Sequence, residues 1–289
     1  MEVIRALPFR PRSLHPGKTI GFVPTMGYLH EGHLSLLRRA RAENDVVVLS
    51  IFVNPLQFGP NEDFDKYPRD EERDLAMARE AGVDYVFLPD ARVMYPRPIL
   101  TTVKVSGITE RMCGASRPGH FEGVATVVLK LFNIVQPDRA YFGLKDLQQV
   151  AVVQRMVEDL NVPVDIVPCP TVREADGLAL SSRNVYLSAE ERRQALVLSE
   201  SLRLAQGWMM EDDSLTVSEL RERIERHLST APMAQIDYVE VTVFPELRQL
   251  APDETVGRLR AGSQLVIALA VRFGRTRLID NALIPKKGE

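Results

Sequence analysis

The sequence contains few cysteines, only Cys113 and Cys169 among 289 residues. Two cysteines cannot form a disulfide framework, and neither lies in a cluster with metal-ligand spacing, so we expect two free thiols in a reducing compartment. The N-terminus lacks the long apolar core of a signal peptide, and no run approaches the ~20 apolar residues that span a membrane. These absences predict a cytoplasmic protein without a membrane partner.

The sequence also lacks a strong excess of either charge. The formal net charge is −3 and the isoelectric point is about 6.0, so there is no overall positive field for a nucleic acid. Hydrophobic residues make up 45% and charged residues 26%, which is typical of an ordinary globular protein. The length favours one large α/β domain followed by a smaller one.

One stretch near the N-terminus organises the prediction. An apolar run from Thr19 to Val23 predicts a buried strand, which breaks at Gly27 and is followed from His33 by leucines at helical spacing. Strand, turn and helix form the first half of a βαβ unit, whose helix N-terminus attracts anions. His30 and His33 lie at that N-terminus, so we predict a phosphate-facing site; a zinc site is the weaker alternative, because further ligands are missing.

The chain beyond this stretch alternates between strand and helix patterns. Further strands are predicted at 46–53, 84–89, 140–143 and 162–167, a short β-like piece at 102–105, and helices at 69–81, 124–135 and 145–158. Nearly unbroken apolar strands predict a Rossmann-like parallel sheet with helices on both faces. After Ser188, two helical patterns precede three β patterns, which predicts a smaller α+β domain. The predicted domains are 1–186 and 187–289.

Polar residues follow several of the predicted strands. Lys145, after Gly143, offers a cation for phosphate, although a lysine at a helix start is usually just solvated. Ser181, Ser182 and Arg183 can clamp phosphate oxygens, although an ordinary polar turn is the simpler interpretation of this segment alone. The amides of Gln57 and Gln149 are suited to fixing a small polar substrate.

Charged residues between 69 and 74 are most simply a solvated helix face. Asp74 is our candidate among them for assisting Mg²⁺, which binds nucleotide phosphates through few protein ligands.

These residues occur within longer motifs that follow one another along the chain. The motifs are Pro24–His33, Phe52–Asp63, Ser116–Phe121, Tyr141–Asp146, Arg173–Asn184 and Ile279–Asn281. In this order they closely resemble the pantoate–β-alanine ligase family, within the nucleotidyltransferases that carry HxGH and KMSKS-type signatures. Three residues depart from the family pattern: Leu144 replaces an expected polar residue, and Leu147 and Leu180 are apolar exchanges.

The resemblance implies an ATP-dependent ligase that joins (R)-pantoate to β-alanine through a pantoyl adenylate, with Mg²⁺ accompanying ATP. It implies His33 as proton donor, with His30, Lys145 and Arg183 as further catalytic residues. It implies Gln57 and Gln149 as pantoate contacts, Gln57 also lying near β-alanine, and a homodimer. The implied ATP-binding residues are Met26, Gly27, Tyr28, Leu29, His30, Glu31, Gly32, His33, Gly143, Leu144, Lys145, Asp146, Val172, Leu180, Ser181, Ser182 and Arg183.

Two other functions remain as alternatives at this point. The first is another transferase of the same superfamily, which would make a dinucleotide or a CDP-linked product. The second is a tRNA-binding module, which the acidic isoelectric point disfavours.

Overall fold

The computed structural model describes residues 1–59 and 64–288, and these form two compact units, Met1–Thr171 and Val172–Glu289. The boundary therefore precedes the one predicted at 186/187. Residues after Val172 belong with the second unit because Arg173 pairs with the buried carboxylate of Asp280, and Leu178 is part of that unit's apolar core.

The first unit contains a parallel sheet, as predicted, and this sheet has six strands. Its strands are β1 (Glu2–Ile4), β2 (Ile20–Thr25), β3 (Val46–Ile51), β4 (Tyr85–Phe87), β5 (Arg139–Gly143) and β6 (Asp165–Cys169). Their spatial order is β1-β4-β3-β2-β5-β6, and every pair is parallel. The chain runs outward from β2 in one direction through β3 and then in the other through β5. The carboxyl ends of β2 and β5 therefore border the crevice where open α/β sheets bind ligands.

Helices cover both faces of this sheet. They are α1 (Pro11–Leu14), α2 (Glu31–Glu43), α3 (Glu71–Glu80), α4 (Ala91–Met94), α5 (Cys113–Ser116), α6 (His120–Val135) and α7 (Leu147–Asp159). On one face, Val23 of β2 lies in a buried cluster with Leu37 of α2. On the other face, Phe132 of α6 contacts Phe22 of β2 and Phe142 of β5, with ring centroids 6.3 and 6.5 Å apart. Alternate residues of β2 thus point to opposite helical layers.

The sequence-based elements differ from the structure in a few places. The β-like piece at 102–105 is irregular, and the N–H of Val103 donates to Thr126 Oγ1 at 2.9 Å instead of entering a ladder. Strand β1 was not predicted, because three residues are too few to show a period. The polar composition of residues 63–67 also predicts an irregular segment, and that segment begins outside the described residues.

The second unit is the predicted α+β module. It contains helices α8 (Ala189–Ala195), α9 (Val197–Glu211), α10 (Val217–Leu228) and α11 (Val256–Gly262), and strands β7 (Ala234–Phe244), β8 (Gln264–Phe273) and β9 (Thr276–Ile284). The strands form an antiparallel sheet in the order β7-β8-β9. Residues such as Leu202 of α9, Leu220 of α10 and Leu269 of β8 share its core. Across both units, no helix among the described residues is long and apolar enough to cross a bilayer.

Candidate active site

The two histidines cap helix α2 reciprocally. His30 is the N-cap residue, and its Nδ1 accepts the backbone N–H of Gly32 at 3.1 Å. His33 Nδ1 accepts the backbone N–H of His30 at 3.2 Å, and the two ring centroids are 4.1 Å apart. Imidazole nitrogens here take the part that oxygen atoms play in an ordinary capping box. Since each Nδ1 is an acceptor, the proton of each neutral ring lies on Nε2.

Both imidazoles are held neutral at pH 7. Burial, followed by the nearby charge of Lys145, lowers the pKa of His30 to about 4. Burial, followed by His30 itself, lowers the pKa of His33 to about 3. A protonated ring would also direct an Nδ1–H at a backbone N–H, which disfavours the imidazolium further. The pair therefore offers two neutral Nε2–H donors.

The backbone N–H groups of the preceding turn are engaged within the protein. Gly27 N–H donates to Thr25 Oγ1 at 3.2 Å, while the N–H groups of Tyr28 and Leu29 donate to Asp74 at 2.8 and 2.6 Å. The sequence predicted that this helix start would meet phosphate through free amides. In the structure side chains already occupy the amides of Gly27, Tyr28 and Leu29, and the two imidazoles are donors available to an anion beside them.

Asp74 does not lie on a solvated helix face, so that interpretation was wrong for this residue. The side chain projects from α3 into the turn, and the residue is only 2% exposed. Desolvation raises the pKa of this carboxyl, opposed by the two N–H donors of the turn. Both carboxylate oxygens bind backbone, and the predicted Mg²⁺ contact has no support in this arrangement.

Lys145 and Asp146 lie beside the histidines at the end of β5. Their charges act in opposite directions on the pKa values of both histidines, so the four side chains share one neighbourhood. Lys145 Nζ is 3.6 Å from Asp146 Oδ2, and the Lys145 side chain is 19% exposed. The two residues belong to a 3₁₀ turn, Leu144–Asp146, and the predicted helix begins only after it at Leu147. The topology thus brings the predicted cation of β5 to the predicted histidines of β2.

The amide of Gln57 is fixed by a buried network after β3. Its Nε2 lies 3.2 Å from Met26 Sδ, and its Oε1 accepts from Asn54 Nδ2 at 3.2 Å. Asn54 is 1% exposed; its Oδ1 accepts the hydroxyl of Tyr95 at 2.8 Å, and its Nδ2 also donates to the carbonyl of Gly123 at 3.1 Å. The sequence indicated Gln57 as a site residue. It did not indicate Asn54, which bonds to Gln57, or Tyr95, which bonds to Asn54.

The backbone of Gln57 is held as well. His120 Nδ1 lies 2.9 Å from the Gln57 carbonyl, and Arg117 Nη1 lies 3.1 Å from His120 Nε2. The chain after β3 packs so closely against α6 that a Cβ on Gly123 would lie 2.3 Å from the Leu56 carbonyl oxygen. Arg117 and His120 belong to one of the motifs that carry the resemblance, and the structure places them against Gln57.

The two neighbouring glutamines of α7 differ in their surroundings. Gln148 is buried and holds an irregular segment: its Oε1 accepts the N–H of Cys113, and its Nε2 donates to the carbonyls of Ile108 and Arg111. Gln149 is half-buried, and its side chain forms no hydrogen bond within the described residues. Gln149, the one chosen from the sequence, is therefore the member of the pair that is available to a ligand.

Glu31, another predicted ATP-binding residue of α2, lies on the exposed side of its helix. The carboxylate of Glu31 pairs with Arg38, and this hydrogen bond lowers the pKa of Glu31. A role for Glu31 through its side chain is therefore not evident.

Five predicted ATP-binding residues lie in the second unit and are described there by themselves. Leu180 N–H donates to the Val172 carbonyl at 3.0 Å, closing a short loop. Ser181 Oγ accepts the N–H of Arg183 at 3.2 Å and so caps the 3₁₀ turn Ser182–Tyr186. The hydroxyl and the guanidinium of this segment are thus close in the chain and partly exposed, as an anion-binding loop requires.

The described residues contain no group of three or more histidine, cysteine, aspartate or glutamate side chains placed to hold a metal ion. Cys113 and Cys169 are free thiols, as predicted. At one edge of the sheet, the described residues of the first unit supply the neutral Nε2–H donors of His30 and His33, the ammonium of Lys145, and the amides of Gln57 and Gln149. Such a set can bind a phosphate and a small polar acid next to each other.

Comparison with known proteins identifies the family. The family model for pantoate-beta-alanine ligase matches residues 3–283. Pantothenate synthetase of Geobacillus kaustophilus is 58% identical over 275 residues, which cover 94% of this chain and 89% of that protein. Pantothenate synthetase of Caldicellulosiruptor saccharolyticus is 56% identical over 268 residues, 93% of this chain and 92% of the relative.

Solved structures agree with this match. Pantothenate synthetase from Thermus thermophilus superposes with a TM-score of 0.89 at 49% identity, covering 99% of this chain and 100% of that one. Pantoate-beta-alanine ligase from Francisella tularensis, complexed with beta-gamma ATP and beta-alanine, gives a TM-score of 0.76 at 36% identity, covering 98% and 97%. The chain belongs to the pantoate–β-alanine ligase family.

Proposed function

We propose that the chain catalyses the ATP-dependent condensation of (R)-pantoate with β-alanine, which yields pantothenate, AMP and diphosphate. The family match over residues 3–283 supports this activity. The single observation that carries it in the structure is the reciprocally capped pair His30 and His33, which faces Lys145 across the ends of β2 and β5. The chain would accordingly serve pantothenate biosynthesis.

In the first step the pantoate carboxylate attacks the α-phosphorus of ATP and displaces diphosphate, giving pantoyl adenylate. Negative charge moves onto the leaving diphosphate, so preorganised donors must meet it there. The Nε2–H groups of His30 and His33 and the ammonium of Lys145 would supply these donors. Because His33 is neutral in the free protein, we propose that it first donates a hydrogen bond and that full proton transfer follows only after nucleotide charge raises its pKa.

In the second step the amine of β-alanine attacks the activated carbonyl and expels AMP. Gln57 and Gln149 would orient pantoate, and Gln57 would also contact β-alanine; their amides do so without adding charge beside a carboxylate. The fixed geometry of Gln57 supports this role, since holding two reactants in place can supply several kcal/mol of the barrier. Val172 and Leu180 to Arg183 are proposed as further ATP-binding residues.

We propose further that Mg²⁺ enters with ATP as part of the substrate and is held mainly by phosphate oxygens. Mg²⁺ retains water ligands and needs few protein groups. The protein is also proposed to act as a cytoplasmic homodimer. Sedimentation at several protein concentrations tests the dimer.

A three-substrate assay tests the proposed activity. The protein is incubated with Mg²⁺, ATP, pantoate and β-alanine, each substrate is omitted in turn, and the products are identified. AMP and pantothenate should form only when all three substrates are present. Release of AMP that does not depend on pantoate would contradict the ligase.

A variant tests the proposed role of His33. His33→Ala should reduce adenylate formation on the order of 100- to 1,000-fold while the fold persists, because it removes one donor to the developing charge. Arg38→Ala, on the exposed face of the same helix, is the matched control and should retain activity. Wild-type turnover by His33→Ala would refute the assigned role.

A further inference from the structure

The turn that delivers the two histidines has an unusual backbone. Gly27 has φ +82° and Tyr28 has φ +52°, so two successive residues lie in the left-handed region. A residue with a side chain rarely adopts this conformation, and an aromatic one needs surrounding contacts to keep it there. The chain then enters α2 directly, with His30 as its N-cap. Any change in the turn therefore changes where both imidazoles lie.

Two adjacent residues of helix α3, Arg73 and Asp74, contact this turn. Asp74 Oδ2 accepts the N–H of Tyr28 at 2.8 Å, and Asp74 Oδ1 accepts the N–H of Leu29 at 2.6 Å. The guanidinium of Arg73 lies 5.3 Å from the centroid of the Tyr28 ring. A Cβ on Gly27 would lie 2.9 Å from Asp74 Oδ2, which shows how closely the carboxylate approaches the turn.

The bonding of Asp74 leaves it poorly suited to a cation. Successive backbone N–H groups in such a turn form a concave site that ordinarily attracts an external anion. Here a carboxylate of the protein, in a residue 2% exposed, fills that site. Each of its oxygens already accepts a backbone N–H, and among the described residues no cluster of three ligand side chains surrounds it.

We propose that Asp74 is a positioning residue for the adenylation step: it holds the Gly27–Leu29 turn in its left-handed conformation and so fixes His30 and His33, and it does not ligate Mg²⁺. The proposal rests on the proposed ligase function for its kinetic consequences. By accepting the N–H groups of Tyr28 and Leu29, Asp74 also removes these two amides as donors to the phosphate of ATP.

The substitution Asp74→Asn tests this directly. The amide has the size of the carboxylate, but only one of its two terminal atoms can accept an N–H, so one turn amide faces an NH₂ donor instead. We expect kcat to fall on the order of 100-fold, the cost of a displacement of about 1 Å at reacting groups. The Mg²⁺ concentration for half-maximal rate should stay unchanged.

A matched control is available on the same helix. Asp70 is the exposed N-cap of α3, and its Oδ1 accepts the N–H of Arg73 at 3.1 Å. Asn caps a helix as well as Asp does, so Asp70→Asn makes the same change of charge without loss of the cap. Its kcat and its Mg²⁺ requirement should both equal those of the wild type.

Kinetic outcomes then separate the two roles of Asp74. A wild-type kcat for Asp74→Asn would overturn the positioning role. A rise on the order of 10-fold or more in the Mg²⁺ requirement, the scale seen when metal sites lose a supporting group, would overturn the claim that Asp74 is not a ligand.

A measurement on the wild-type protein covers the case in which Asp74→Asn does not fold. In NMR spectra without nucleotide, the amides of Tyr28 and Leu29 should exchange slowly with solvent, and millimolar Mg²⁺ alone should not shift their resonances. Fast exchange, or a specific shift of these amides with Mg²⁺, would overturn the proposal. This measurement needs no catalysis, so it still decides the role of Asp74 if the three-substrate assay rejects the ligase function.

Discussion

Replacing Gly32 by alanine should separate the stability of helix α2 from the placement of its capping histidine. Gly32 lies between the two histidines, and a Cβ there would be 2.8 Å from Cε1 and 2.9 Å from Nδ1 of the His30 imidazole. Both atoms are at the end of a side chain, so the ring can move away. In doing so it gives up its hydrogen bond from the Gly32 N–H.

Two opposing effects set the change in stability. Loss of an N-cap acceptor costs about 1 kcal/mol, whereas alanine is favoured over glycine within a helix by about the same amount. The free energy of unfolding of Gly32→Ala should therefore differ from that of the wild type by less than about 1 kcal/mol. Catalysis has no such offset, because the Nε2–H of His30 is displaced, and we expect kcat to fall on the order of 100-fold.

The assay combines urea unfolding with pantoate-dependent formation of AMP. Gly207→Ala in α9 is the matched control, since a Cβ at that position meets nothing within 4 Å. It should raise the free energy of unfolding by about 0.5–1 kcal/mol and leave kcat unchanged. Wild-type activity in Gly32→Ala would refute the reasoning, because His30 would then work equally well without its capped position.

Three further predictions concern pH, substrate binding and the second unit. Folding lowers the pKa values of His30 and His33 to about 4 and about 3. The stability that these groups contribute is therefore complete above about pH 6.5 and is lost as the pH falls. Urea unfolding between pH 7 and pH 4 should show a smaller loss of stability when both histidines are replaced by asparagine. Gly123→Ala, whose Cβ would lie 2.7 Å from the backbone nitrogen of Gln57, should raise KM for pantoate and β-alanine more than KM for ATP, and initial-rate measurements check this. Asp280→Asn removes one charge of a bidentate pair in which the acid is 2% exposed, so the free energy of unfolding should fall by about 3 kcal/mol in urea, and an unchanged midpoint would contradict the role given to the pair.

The sheet was predictable because its central strands β2 and β3 are largely buried on both faces. Nearly continuous apolar runs such as Val46–Ile51 leave few other interpretations, and the turn signals at Gly27 and Gly143 mark the carboxyl ends of β2 and β5. The short edge strand β1 shows no pattern of its own, because its three residues pair only through contact with β4. Pairing with β4, rather than local sequence, makes it a strand.

The site residues within the motifs could be predicted from the sequence, but the hydrogen bonds that hold them in place could not. His30, Lys145 and Gln57 could be selected because each follows a predicted strand. The bonds that fix them could not be seen, since Asn54 is joined to Tyr95 across 41 residues and Asp74 to the β2–α2 turn across 45 residues. A charged residue in a helix looks solvated in the sequence, and only the packing of α3 against the turn shows that the Asp74 carboxylate is buried.

Single-turnover kinetics would test the central claim most directly, that this edge of the sheet activates pantoate as an adenylate. Enzyme in excess is mixed with Mg²⁺, ATP and pantoate, without β-alanine, and diphosphate and pantoyl adenylate are quantified after rapid quenching. We predict that both form in equal amounts, and that later addition of β-alanine converts the adenylate to pantothenate and AMP. Formation of diphosphate only when β-alanine is already present would contradict the claim.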